Sequence, residues 1–120
     1  MKQIFAFDTK TLTYVLGTDS VGRLFHLYWG KKIKHSDFSV DELNDANSNH
    51  SDLDGACQEY TVFGGKMYRN CAFKCTYFDG CRDALYTYKS HIESENELVI
   101  TLEDKAYDTE LVLHFVHYSD

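Results

Sequence analysis

Large side chains recur at every second residue through most of this chain, and nowhere at the spacing a helix needs. IFAFD (residues 4–8), TLTYVLG (11–17), RLFHLYWG (23–30), FKCTYF (73–78), LYTYKSHI (85–92), ELVITLED (97–104) and ELVLHFVHY (110–118) all alternate. Period 2 marks a strand with one face buried, because successive side chains point to opposite sides of a sheet. Leu98, Ile100 and Leu102 fall on one face, as do Leu111, Leu113, Phe115 and His117. The nine Tyr and eight Phe push the same way, since aromatics suit a pleated, half-buried surface. The reading is all-β: one antiparallel β-sandwich domain over residues 1–120, with about seven or eight strands.

Three features refine that picture. In RLFHLYWG, strict alternation sets Phe25, Leu27 and Trp29 against Leu24, His26 and Tyr28. Both sets are large, so this strand is expected to be covered on both sides, with Trp29 packed in the core beside Phe25 and Leu27. GTDSVG (17–22) supplies glycine and aspartate for a hairpin connection. Residues 34–58 are polar and acidic and read as a long variable loop, anchored by Phe38, Val40, Leu43 and Leu53, with a short helical turn near 40–43. Within it Asp45, Asn47 and Asn49 match the opening of a calcium-binding loop. His50 then stands where the turn needs glycine, and Ala56 where a bidentate glutamate belongs, so the motif fails. Asn49-His50-Ser51 is a formal glycosylation sequon without a secretory context.

A net charge of −7 argues against nucleic acid or an anionic membrane as a partner. The opening MKQIFAFDTK interrupts its apolar run with an aspartate where a signal peptide would continue. Four cysteines without a secretory signal suggest free thiols and a cytoplasmic location. Cys71, Cys75 and Cys81, with His91 as a fourth ligand, raise a zinc reading, but C-x3-C-x5-C contains no C-x2-C knuckle, and neither metal nor cofactor is expected. Asp52 and Asp54 are close in sequence yet sit in the acidic loop, where a solvated role outweighs a catalytic pair. No serine lies in G-x-S-x-G, and Gly64-Gly65-Lys66 lacks the frame of a phosphate loop. His26 and His91 lie within strands; His114 and His117, three apart, point to opposite faces and cannot share a metal. The residues alone give a β-sandwich without a visible active site.

One stretch stands apart: CQEYTVFGGKMYRNC (57–71), with adjacent glycines and an arginine among aromatics. Taken with HLYWG (26–30), EYTVFGGKMYR (59–69), the Asp79-Gly80 turn and LVITLED (98–104), in that order, it carries a resemblance covering nearly the whole chain. The chain resembles the N-terminal part of the bacterial α-galactosidases of glycoside hydrolase family 36. The resemblance implies a β-supersandwich region attached to a catalytic barrel that bears two aspartates, none of which falls in these residues. The chain alone is then expected to be inactive, and an α-galactoside such as melibiose or raffinose to be a partner only of a full-length enzyme. The resemblance also implies a homo-oligomer, and gives Arg69 a place near the sugar-binding end of the barrel. Thr61 departs from the family's proline and Met67 from its acidic residue, which leaves Glu59 as the nearest group that could pair with Arg69. The glycines would shape a β-corner leading to that arginine. Trp29, Tyr60 and Tyr68 are the further candidates, as an aromatic platform or an interface; a free-standing sandwich that binds carbohydrate or protein is the alternative. The strand at 110–118, large on both faces, is expected to favour self-association.

Overall fold

The computed structural model describes residues 2–34, 38–40, 57–64 and 70–118. Six strands form among them: β1 (Gln3–Asp8), β2 (Leu12–Thr18), β3 (Leu24–Lys31), β4 (Thr87–Glu93), β5 (Glu97–Asp104) and β6 (Thr109–Val116). They make two antiparallel sheets of three, ordered β1-β2-β3 and β4-β5-β6. The all-β reading holds, with fewer strands than the seven or eight expected. The acidic loop falls almost entirely outside the described residues, as do Asp52, Asp54 and the calcium-like run.

The inner faces of the two sheets meet. Phe5, Leu16 and Leu24 of the first pack with Leu98, Ile100 and Leu102 of the second, and Ala84 and Tyr86 complete the cluster. Each fully buried leucine or isoleucine contributes roughly 1.5–3 kcal/mol relative to exposure. Part of the outer face of the first sheet is also covered: Val15, Phe25 and Val40 are buried there, and a Cβ placed on Gly17 would stand 2.5 Å from Val40 Cγ2.

The turn between β2 and β3 is fastened by one buried carboxylate. Asp19 accepts hydrogen bonds from the backbone N–H of Val21 (3.1 Å) and Arg23 (2.9 Å), and from Arg23 Nε (2.6 Å). Gly22 then takes φ +90°, which a residue with a Cβ adopts only with strain, and its carbonyl accepts from Tyr88 N–H at 2.7 Å. One turn thus closes a hairpin and ties the first sheet to the second.

Two alternating segments do not become full strands. FKCTYF forms no strand; its sheet-like pairing among the described residues is an isolated parallel bridge between Val62 and Phe73. Its second half bends instead: Gly80 N–H donates to Tyr77 O and Tyr77 N–H to Cys81 O, while the Tyr77 ring stacks on Tyr107 at 3.8 Å. A ladder partner is missing, so local turn bonds satisfy the backbone. LYTYKSHI starts its strand two residues late, at Thr87, because Leu85 N–H donates at 3.2 Å to Asp104 Oδ2. Asp104, the buried last residue of β5, also takes the Tyr77 hydroxyl (3.1 Å) and Ala106 N–H (3.1 Å).

Candidate functional site

Residues 57–60 lie along the edge of β3. His26 N–H donates to Cys57 O at 2.8 Å, Glu59 N–H donates to Leu24 O at 3.1 Å, and Gln58 bridges Phe25. This seats Glu59 over the inner face of the first sheet. Tyr14 of β2 donates its hydroxyl to Glu59 Oε1 at 2.5 Å, and His26 Nδ1 stands 3.3 Å from Glu59 Oε2. Burial first, then the bond to this carboxylate and its charge, push the Tyr14 hydroxyl far above its ordinary pKa. The phenol is therefore a fixed donor across the neutral range.

His26 reaches Glu59 because β3 carries a bulge. Val15 pairs with Tyr28 but Leu16 with His26, so Leu27 is the extra residue. The alternation slips by one at that point. Trp29 consequently shares a face with His26 and Leu24, not with Phe25 and Leu27 as strict period 2 predicts. It pairs with Tyr14, which pairs with Phe7. The expectation that Trp29 packs in the core is overturned, since it is 70% exposed. The expectation that β3 is covered on both sides holds only at its start, where Leu24 and Phe25 are both 4% exposed.

A string of rings runs from this point across the sandwich. Tyr14 lies 6.3 Å from Trp29 and 5.0 Å from His26, Phe7 stacks on Tyr14 at 5.1 Å, and His117 stacks on Phe7 at 5.0 Å. Beside it Glu59 and Tyr60 form one wall of a depression of about 260 Å³, with residues 111–115 as the other. Of the sequence candidates, Glu59, Tyr60 and Trp29 fall on this side of the fold. Tyr68 and Arg69, and any pairing of Glu59 with Arg69, lie outside the described residues. The clasp of Tyr14 and His26 on Glu59 was not legible in the sequence, because nothing in RLFHLYWG marks Leu27 as a bulge.

The segment after Glu59 turns a corner. Gly64 has φ +107°, and a Cβ there would lie 2.6 Å from Asp83 Cα and 2.7 Å from Ala84 N. Only glycine fits, as the sequence led one to expect of this stretch. Phe63 N–H donates to Phe73 O (2.9 Å) and Ala72 N–H to Thr61 O (2.8 Å), so the chain entering residue 65 and the chain leaving residue 70 are joined to each other. A second depression of about 230 Å³ lies nearby, lined by Phe63, Lys74, Cys75, Thr76 and Arg82.

Chemically the cluster is one carboxylate already engaged by a phenol and an imidazole. Retaining glycoside hydrolysis needs two carboxyl groups about 5 Å apart. The cluster holds a single carboxylate, Glu59, and its oxygens face Tyr14 and His26 of its own domain. Among the described residues no three His, Cys, Asp or Glu side chains gather as metal ligands.

Comparison with known proteins bears on this arrangement. The family model described as "Glycosyl hydrolase family 36 N-terminal domain" matches residues 22–120. The bifunctional α-galactosidase/sucrose kinase AgaSK of Mediterraneibacter gnavus is 31% identical over an alignment of 100 residues that covers 75% of this chain. The chain spans only 11% of that relative's length. Among solved structures, an AgaA α-galactosidase variant of Geobacillus stearothermophilus, in complex with raffinose, superposes with a TM-score of 0.80 at 23% identity, covering 98% of this chain and 20% of that one. The α-galactosidase of Lactobacillus brevis gives 0.78 at 18% identity, over 97% and 20% of the two chains. At these identities the structures speak for a shared fold.

Proposed function

Because the chain belongs to the glycosyl hydrolase family 36 N-terminal domains, we propose that it serves as the non-catalytic sandwich region of an α-galactosidase. The observation that carries this reading is the family match over residues 22–120, joined to an α-galactosidase relative and to superposition over nearly the whole chain. In this proposal the parent enzyme hydrolyses terminal α-galactosides such as melibiose and raffinose. The sandwich supports the catalytic barrel and the assembly of subunits, in the cytoplasm. The two carboxyl groups of the reaction belong to the barrel.

Within that reading Arg69 is the residue that meets the sugar-binding end of the barrel. Support comes from the stems on either side of it. The entering stem is anchored through Glu59 to Tyr14 and His26, and the two stems are bonded through Phe63 and Phe73. Arginine suits the task because its planar fork can hold several hydroxyls, or a carboxylate, in one orientation. In a full-length enzyme carrying this region, Arg69→Ala is expected to lower kcat/KM on an aryl α-galactoside by about tenfold or more, or to weaken subunit assembly. An enzyme unchanged in both would remove Arg69 from the account.

A further inference from the structure

The corner at residues 57–64 is tied to both sides of the sandwich. Along the first sheet, Cys57 and Glu59 bond through the backbone to His26 and Leu24 of β3. On the other side Ala84 N–H donates to Phe63 O at 3.1 Å, beside the point where Gly64 fits against Asp83 and Ala84. The chain returning at residue 70 is bonded to the same corner, through Ala72 to Thr61 and Phe73 to Phe63. Arg69 is the neighbour of Asn70 and stands five residues beyond Gly64. Whatever shifts the corner therefore shifts both ends of the short segment that carries this arginine.

Glu59 is held by more than its backbone. Its carboxylate is gripped at both oxygens, by the Tyr14 hydroxyl at 2.5 Å and by His26 Nδ1 at 3.3 Å. Tyr14 belongs to β2, the central strand of the first sheet. Its ring stacks on Phe7 at 5.1 Å and lies 6.0 Å from Phe115 of the second sheet. Rings of both sheets thus fix the direction in which the phenol points, and it points at a segment lying on the sheet edge. A carboxylate held at two points keeps one rotamer, and the backbone that bears it is ordered with it.

From this geometry we propose that Tyr14 is a positioning residue for sugar hydrolysis by the parent enzyme. It touches no substrate; it acts through Glu59 on the placement of the corner, and through the corner on Arg69. This role rests on the reading of Arg69 as the residue that meets the sugar-binding end of the barrel. One hydroxyl in the middle of the first sheet then bears on chemistry carried out in another domain.

Tyr14→Phe is the probe, because it removes one oxygen, keeps the ring and leaves the Glu59 carboxylate itself unchanged. In the 120-residue chain, amide hydrogen exchange at Glu59 and Ala72 is expected to quicken about threefold or more beyond any change at the amides of β5, which report unfolding as a whole. In a full-length enzyme carrying this region, kcat/KM on an aryl α-galactoside is compared for the parent, Tyr14→Phe, Arg69→Ala and the two combined. Tyr14→Phe alone is expected to lower it about three- to tenfold, and by less than about twofold further once Arg69 is alanine. A loss of stability alone would cost the same factor in both backgrounds, and that result overturns the proposal. So does exchange at Ala72 that changes only as much as in β5, or a Tyr14→Phe enzyme with the parent's kcat/KM beside an impaired Arg69→Ala. If Arg69→Ala itself keeps the parent's kcat/KM, the reading of Arg69 fails first and the positioning role falls with it.

Discussion

At the scale of single residues, the fold leans most on buried carboxylates placed where backbone donors would otherwise go unmet. Asp19 has no exposed side-chain surface and takes two N–H groups and the Arg23 guanidinium, itself 11% exposed. Replacing it with alanine leaves an arginine and two amides short of partners in a buried turn. The expected cost is about 2–4 kcal/mol, read as a fall in Tm of roughly 8–15 °C. Asp19→Asn should recover part of it, because a carbonyl oxygen still accepts from the amides while the ion pair is lost. Thermal unfolding followed by circular dichroism checks both; an alanine variant as stable as the parent would mean the turn is held by its backbone alone. The placement of this turn was legible, since GTDSVG offered glycine and aspartate between two alternating runs. The identity of Asp19 as its fastener was not, because that depends on burial by the second sheet.

At the scale of strands, alternation read the chain well where a strand has neighbours on both sides. β5 runs Glu97–Asp104, the same eight residues that alternate in ELVITLED, and it is the central strand of its sheet. Alternation misled where tertiary partners decide. FKCTYF has the pattern but among the described residues pairs only at Phe73, and Tyr77 is drawn to Asp104 and Tyr107 instead. In β3 the bulge at Leu27 changes the face of everything on one side of it, which sets Trp29 on the face of His26 and Leu24, where it is nonetheless 70% exposed. The burial of Tyr14, together with its bond to Glu59, gives this element a pH signature. The folded-state pKa of Tyr14 lies above its unfolded value near 10, so the stability it contributes is complete below pH 10 and is lost as pH rises beyond it. Tyr77 and Tyr107 are shifted the same way, by burial for the first and by hydrogen bonding to Cys81 and Asp79 for the second. Urea unfolding as a function of pH should therefore show stability falling above about pH 10, and Tyr14→Phe should make that fall shallower. A variant with the parent's full alkaline slope would show that Tyr14 is not held in its buried place against Glu59 in solution.

At the scale of the whole molecule, two three-stranded sheets close one core, and no paired carboxylates for sugar hydrolysis emerge from the described residues. The family was legible in the sequence because its motifs, HLYWG and EYTVFGGKMYR, are short, ordered and rich in residues that strand patterning alone does not demand. Their meaning was only partly legible. Glu59 anchors the corner through Tyr14 and His26, two residues distant in sequence and brought together by the bulge, and Gly64 turns the corner against Asp83 and Ala84. The central claim is that this sandwich supports catalysis carried out elsewhere, and the most direct measurement is hydrolysis of an aryl α-galactoside by the purified 120-residue chain. The account predicts release of the phenol no faster than the buffer rate at any enzyme concentration. Turnover that scales with the chain's concentration and disappears when a carboxylate within residues 1–120 is neutralised would contradict it.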